Sequence, residues 1–301
     1  MFHRILVPLD GSSFGEYALP LALSIARRAE APIELVHVYR PANVPEGSWT
    51  NEAYEQGKQK AGAYLDELVK RVKPVTRFGV HAALFEGDVP DRILQQAQDG
   101  HTGLIVLTTH GRGPLSRYWL GSVADELVRR TTVPLLLVRP REEPVDLTAE
   151  RAVGRILIPL DGSPFAEQIL PPALALGSLM QADYRLLRVV TPAVATGPDP
   201  WFSPPLHVPD LDLESQARAY LKRIWERLQQ DQPRNVQAHV ETAFKPAVAI
   251  LEDVQPAKVD LIALATHGRT GVSRLVLGSV ADKVVRASPV PVLVHRPAPT
   301  R

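Results

Sequence analysis

The chain has 301 residues, and its 34 basic and 33 acidic residues leave a net charge of +1, which argues against a broad nucleic-acid-binding surface. It contains no cysteine, which excludes disulfides, thiolate metal sites and cysteine nucleophiles and is typical of a reducing cytosol. The sequence shows no signal peptide and no apolar run near about 18 residues, so it predicts a cytoplasmic protein that binds neither nucleic acid nor a membrane.

Short apolar runs alternate with helical patterns along the chain. In the first half the predicted order is strand 3–9, helix 14–29, strand 33–39, helix 51–72, strand 77–84, helix 89–99, strand 103–108, helix 122–130 and strand 134–138. In the second half it is strand 155–160, helix 164–180, strand 184–190, helix 211–230, strand 236–242, helix 246–255, strand 260–265, helix 279–287 and strand 291–295. Strands that are apolar on both faces are typical of parallel sheets covered by helices. The sequence therefore predicts an α/β fold, with a five-stranded parallel sheet and helices on both faces in each half.

The second half repeats the first. Residues 109–140 and 266–297 are offset by 157 positions and are identical at 19 of 32. The opening strand also restarts, since Arg4-Ile5-Leu6 returns as Arg155-Ile156-Leu157. The repeat predicts one domain over 1–140, a charged, proline-containing linker over 141–154 and a second domain over 155–297.

The most closely repeated part is a glycine-bearing loop that ends at the start of a helix. Ser122 has Asp125 three residues on, a capping-box pattern that predicts Ser122 as the N-cap residue; Ser279 repeats the arrangement. The first N–H groups of a helix have no intrahelical partner and can hydrogen-bond phosphate oxygens. Glycine before each serine, at 121 and 278, lets a ligand approach the backbone. The alternative is a tight turn followed by a plain N-cap.

Aspartates that follow the first strand of each half form a second candidate set. Asp10 and Asp161 are each followed by glycine and serine, and they are predicted to lie at the same sheet edge as the glycine loop. Each carboxylate can accept from ribose hydroxyls or an adenine amino group, or help to hold a divalent cation. The alternative is an Asx turn that caps the next helix.

Basic residues flank the glycines of the loop. Arg112 and Arg269 can each pair with phosphate in bidentate fashion, although a solvated surface arginine is an equal alternative. The scattered histidines show no metal-ligand spacing, no Ser–His–Asp assignment is persuasive, and the Walker-type Gly-Lys-Ser/Thr string is absent. The residues therefore favour binding over catalysis.

These residues together resemble the universal stress proteins, here as a tandem two-domain member. The resemblance covers almost all of both halves and rests on the following motifs and their second-half copies: Val7-Pro8-Leu9-Asp10-Gly11-Ser12, Gly111-x9-Gly121-Ser122 and Val133-Pro134-Leu135-Leu136-Leu137-Val138. It implies two Rossmann-like (adenine nucleotide alpha hydrolase-like) domains, each with the sheet order 3-2-1-4-5. It also implies ATP, with or without Mg²⁺, held by residues at matching positions: Asp10, Val38, Gly111, Arg112, Gly121, Ser122 and Val123, and Asp161, Val189, Gly268, Arg269, Gly278, Ser279 and Val280.

The chain departs from the family pattern at the first motif glycine. ATP-binding members carry Gly-x2-Gly-x9-Gly-Ser/Thr, whereas Thr108 and Ala265 stand at the first glycine here. A β-branched residue resists positive φ, so Thr108 is expected to hinder the first site more than Ala265 hinders the second. The second site, which ends at Gly278-Ser279, is therefore the favoured one.

Three functions fit the sequence. The favoured one is an ATP-binding sensor or regulator of the stress response that is not an enzyme. The alternatives are a nucleotide-free interaction scaffold and, less favoured, a slow ATPase. The resemblance also implies that the halves pack as an intramolecular pseudo-dimer through strands 134–138 and 291–295, with a further homodimer as an option.

The halves differ most at residues 191–210, which carry six prolines together with Trp201 and Phe202. Proline continues neither a helix nor a central strand, so the segment is predicted to be an extended loop. It is either a plain surface connection or, because exposed aromatic residues are unusual, a lid or partner contact.

Overall fold

The structure, a computed structural model, describes residues 1–40, 51–109, 120–140, 143–195, 206–208, 211–229, 235–266 and 277–296. Contacts divide the chain into two compact units, the first formed by residues 1–152 and 290–301 and the second by residues 153–289. Within the described ranges, no helix is both long and apolar enough to cross a membrane.

The first unit is built on a parallel sheet. Its strands are β1 (Ile5–Leu9), β2 (Ile33–Tyr39), β3 (Val80–Glu86), β4 (Leu104–Thr108) and β5 (Leu135–Val138), in the order β3-β2-β1-β4-β5. Its helices are α1 (Leu19–Ala29), α2 (Asn51–Val72), α3 (Val89–Asp99) and α4 (Ser122–Arg130), with 3-10 turns at Gly15–Ala18 and Lys73–Val75. The four strand pairs are parallel, which confirms the predicted α/β class and order.

The central strands form the core of this unit. Every residue of β4 is buried, and Ile5, Leu6 and Val7 of β1 are buried completely. A strand that is covered on both faces needs apolar side chains at consecutive positions, which is why these segments read as unbroken apolar runs. Because helices cover both faces of these central strands, a ligand can reach them only at their ends.

The second unit repeats the architecture. Its strands are β6 (Arg155–Pro159), β7 (Asp183–Val190), β8 (Ala193–Ala195), β9 (Leu206–Val208), β10 (Val236–Thr242) and β11 (Leu261–Ala265). Its helices are α5 (Pro164–Glu167), α6 (Leu170–Met180), α7 (Leu211–Gln229), α8 (Pro246–Glu252) and α9 (Ser279–Ala287). The order β10-β7-β6-β11, with all pairs parallel, places the four strands as their counterparts are placed in the first unit.

Three predicted elements are wrong in detail. The single helices predicted over 14–29 and 164–180 are each interrupted, because Pro20 and Pro171 occupy the first turn of α1 and α6 and have no N–H to continue a preceding helical turn. In the proline-rich segment, β8 and β9 pair antiparallel where only an extended loop was predicted.

The last strand of the chain, β12 (Val292–His295), belongs to the first unit. It pairs antiparallel with β5, with Val292 opposite Leu137 and Val294 opposite Leu135. The family resemblance implied this contact between β5 and β12, the fifth strands of the two halves. The pseudo-dimer of whole halves and the domain bounds 1–140 and 155–297 stay predictions.

We expect His295 to make this strand sensitive to pH. Its Nδ1 is buried and finds no hydrogen-bond partner in the described part of the chain, and burial lowers the pKa of its imidazole. Because the unfolded chain then binds the proton more readily, the free energy of unfolding should fall as pH drops below the ordinary histidine pKa of about 6.5. Urea unfolding of His295→Val, the residue found at the matching position 138, should show a smaller loss between about pH 7 and 5 than the parent chain. Equal losses would contradict this.

Candidate functional site

A cavity of about 610 Å³ opens at the carboxyl edge of the first unit's sheet. Its volume falls within the range of roughly 300–1,000 Å³ that small-molecule sites occupy. It lies where the strand order reverses, since β1 has β2 on one side and β4 on the other, and open α/β sheets bind ligands at such a point. Its lining includes Leu9, Asp10, His37, Val38, Tyr64, Thr108, Gly121, Ser122 and Val123.

One wall of the cavity is the start of α4. Gly121 is the N-cap residue, with extended backbone (φ −61°, ψ 151°) and no side-chain cap. Its carbonyl accepts from the Asp125 N–H at 2.9 Å, the first bond of the helical ladder. The three preceding N–H groups, those of residues 122–124, consequently have no intrahelical acceptor, and the helix dipole adds partial positive charge there. This wall suits an anion.

The predicted role of the serines in capping is wrong by one position. Ser122 and Ser279 are the first helical residues, after the N-cap glycines. Asp125, which was predicted to complete the capping box, instead accepts from Arg129 at 2.9 Å, and Asp282 accepts from Arg286 at 2.8 Å. The predicted helix bounds 122–130 and 279–287 are confirmed, and both serines are exposed at the helix start.

Each glycine loop is closed by a short bond between its ends. The Gly121 N–H donates to the Thr109 carbonyl at 2.8 Å, and the Gly278 N–H donates to the Thr266 carbonyl at 2.9 Å. Both threonines are buried, so the loop's two ends rest on the edge of the core. The predicted site residues Gly111, Arg112, Gly268 and Arg269, and the neighbouring His110 and His267, lie outside the described residues.

The substitutions at the first motif glycine cause no backbone conflict. Thr108 is the last residue of β4, in register with Val138, and Ala265 is the last residue of β11. Neither has a positive φ. The expected hindrance from a β-branched residue at positive φ therefore does not arise at Thr108, whose side chain instead borders the cavity.

Both aspartates form the Asx turn that was the alternative reading. Asp10 Oδ1 accepts from the Ser12 N–H at 3.0 Å and the Ser12 hydroxyl at 2.6 Å, and Asp161 accepts likewise from Ser163. The intervening Gly11 has φ +80°, a left-handed conformation that glycine adopts without strain. The turn does not remove Asp10 from the site, because the residue still lines the cavity.

The second strands contribute two of the residues that the resemblance implied for ATP, and one residue that the sequence did not suggest. Val38 lines the cavity and is buried, while its counterpart Val189 is half-buried. His37, also buried, has its Nδ1 2.8 Å from the Leu9 carbonyl. Arg188 takes the matching place in the second unit and donates to the Leu160 carbonyl at 3.3 Å. Alignment of the second strands of the two halves could have revealed this pair, since each residue immediately precedes a predicted valine.

A polar cluster lies beside Tyr39, which lines the cavity. Glu86 accepts from the Tyr54 hydroxyl and pairs with Lys58, and these contacts lower the pKa of its carboxyl, with Lys58 the larger cause. Tyr54 also meets the Tyr39 ring edge-on, with centroids 5.4 Å apart. Sequence reasoning missed this cluster because its members come from three separate elements.

Comparison with known proteins is consistent with the repeat. The two halves match the Universal stress protein family over residues 1–139 and 152–296. A universal stress protein of Mycobacterium tuberculosis is 26% identical over 306 residues, covering 98% of this chain and 97% of that protein. A universal stress protein of Bacillus subtilis is 29% identical over 153 residues, covering 46% of this chain and 100% of that protein. The crystal structure of a universal stress protein from Archaeoglobus fulgidus has a TM-score of 0.73 at 19% identity, covering 98% of this chain and 99% of that chain, a likeness of fold alone.

Proposed function

Because this chain belongs to the universal stress protein family, we propose that it is a stress-response sensor or regulator that binds an adenine nucleotide, ATP, in the cavity of its first unit. One observation carries the proposal: the start of α4 presents three N–H groups without helical acceptors to a cavity of nucleotide size. The phosphates belong at this wall.

The rest of the lining fits the other parts of such a ligand. Val36, Val38 and Leu107 form an apolar surface on which a planar base can be desolvated. Lys60 lines the cavity and is exposed. If Mg²⁺ accompanies the nucleotide, Asp10 is the lining carboxylate that would hold it, as hard cations prefer oxygen ligands.

The proposal covers binding rather than catalysis. The lining groups described above would bind and orient a ligand, and the protein would act as a sensor or regulator in the cytoplasm. The matching start of α9, with Ser279 exposed after Gly278, makes the second unit a second candidate site. We include in the proposal the intramolecular pseudo-dimer through the fifth strands.

Isothermal titration with ATP tests the proposed function. We expect saturable heat with at least one site per chain, and adenine nucleotide in the supernatant of the denatured protein by mass spectrometry. Inorganic tripolyphosphate should bind more weakly than ATP, because it reaches only the α4 wall. The absence of heat and of retained nucleotide at millimolar ATP would remove the proposal and favour a nucleotide-free scaffold.

A further inference from the structure

A group of three side chains recurs in both units and was not apparent from the sequence. We call it the Glu–Tyr–Arg group. Its members are Glu16, Tyr64 and Arg71 in the first unit, and Glu167, Tyr220 and Arg227 in the second. In each unit the glutamate follows the Asx turn, while the tyrosine and arginine lie on the long helix, α2 or α7, two turns apart on one helical face.

In the first unit the glutamate of the group is buried, whereas its arginine is exposed. Arg71 Nη1 lies 2.9 Å from Glu16 Oε2, and the Glu16 side chain is only 10% exposed. The Tyr64 hydroxyl is buried and meets no acceptor at hydrogen-bond geometry among the described residues, although the Glu16 carboxylate is near. Burial, followed by the negative charge of Glu16, raises the pKa of Tyr64, so the hydroxyl stays protonated.

The second unit completes the same arrangement. The Tyr220 hydroxyl donates to Glu167 Oε1 at 3.1 Å, and Arg227 donates to Glu167 Oε2 at 2.9 Å. Burial, again followed by the neighbouring glutamate, raises the pKa of Tyr220. Recurrence on equivalent elements indicates that the group holds the tyrosine in one orientation.

That orientation turns the Tyr64 ring toward the cavity. Tyr64 lines the cavity, whereas its hydroxyl is buried, so the rest of the residue provides the lining. Tyr64 also meets His37 of β2 edge-on, with ring centroids 6.1 Å apart. Since β2 and β4 lie on opposite sides of β1, and α4 follows β4, the ring borders the side of the cavity away from the phosphate wall.

Resting on the proposed nucleotide site, we propose that Tyr64 is a specificity-determining residue whose ring contacts the nucleobase, and that Glu16 and Arg71 are positioning residues that hold it. A ring whose tip is buried has few rotamers left to lose and offers a flat apolar surface at low entropic cost. Stacking of a base on an aromatic side chain suits any planar base, so the group recognises the base while α4 recognises the phosphates.

The test compares two ligands on one site. In a Ser279→Glu background, which confines binding to the first unit, titrations use ATP and inorganic tripolyphosphate. Tyr64→Leu should weaken ATP binding about tenfold and leave tripolyphosphate binding within about twofold, since stacking on an aromatic ring accounts for roughly this difference. Tyr64→Phe, which keeps the ring, should retain most of the affinity for ATP. Tyr220→Leu, the matched change in the other unit, should alter the binding of neither ATP nor tripolyphosphate.

The outcomes separate this inference from the proposed function. If Tyr64→Leu binds ATP as tightly as the parent chain, the ring does not contact the base and the inference is overturned. If Tyr64→Leu weakens the binding of ATP and tripolyphosphate equally, the inference is also overturned, because Tyr64 then only supports the structure of the site. A parent chain that binds neither ligand instead removes the proposed function itself. Should Tyr64→Leu fail to fold, nuclear Overhauser contacts between adenine and tyrosine ring protons in the parent chain decide the matter, and their absence overturns the inference.

Discussion

Ser122→Glu is expected to weaken ATP binding in the first unit by about 10–100-fold without lowering the stability of the protein. The new carboxylate would lie at the first helical residue, among the N–H groups that face the cavity. There it repels phosphate at short range, an effect that solvent screening reduces because Ser122 is exposed. Acidic residues at a helix start are themselves favourable, by about 0.3–1 kcal/mol. Affinity and stability should therefore change in opposite directions.

Titration calorimetry and thermal unfolding of three variants make this prediction specific. Ser122→Gln has nearly the shape of the glutamate variant but no charge, so it should bind ATP within a few-fold of the parent chain. Ser279→Glu places the same charge at α9 and should affect only a site in the second unit. Equal binding by the Glu and Gln variants of residue 122 would show that the phosphates do not lie at α4.

Arg185→Ala is expected to lower the free energy of unfolding by about 3 kcal/mol. Arg185 on β7 donates two bonds to Asp253, at 2.6 and 2.7 Å, immediately after α8. Both side chains are little exposed, at 16% and 14%. Removal of the arginine leaves the Asp253 carboxylate desolvated and without its cation, which costs more than the loss of the pair itself.

Urea unfolding followed by circular dichroism measures this effect, and two other variants control it. Arg218→Ala breaks an exposed pair with Glu214, whose arginine is 68% exposed, and should cost less than about 1 kcal/mol. The double change Arg185→Met with Asp253→Leu removes both charges and should recover most of the lost stability. If Arg185→Ala costs no more than Arg218→Ala, the pair between β7 and α8 is not a significant source of stability.

The fold was readable from the sequence where a pattern recurs locally. The unbroken apolar run Leu104-Ile105-Val106-Leu107 predicted a buried strand, and every residue of β4 is buried. The repeated glycine and serine before a helical run predicted the first residues of α4 and α9. The break between the 3-10 turn and α1 within residues 14–29 was not readable from the sequence. Pro20 in the first turn of α1 interrupts the helix, but the residues before it are also helical in character and obscure the interruption.

The candidate site was readable only in its backbone parts. Gly121, Ser122 and Asp10 line the cavity as the sequence suggested, because a motif specifies local chain geometry. The glutamate, tyrosine and arginine of the recurrent group were not predicted, since the glutamate is distant in sequence from the other two and each type is ordinary on a helix surface. Nothing local indicates that Glu16 pairs with Arg71, or that Tyr220 donates to Glu167.

The strand order was an implication of the family resemblance. By itself, then, the sequence determined the duplicated α/β architecture and the helix starts that suit phosphate. Those properties follow from periodicity, capping and turn chemistry, which act over a few residues. Tertiary structure decided which side chains surround the cavity, and that Thr108 continues a strand instead of straining a loop. It also decided that the Tyr64 hydroxyl is buried while its ring lines the cavity. Burial and contact depend on elements distant in the chain, so they arise only once the sheet and helices are packed.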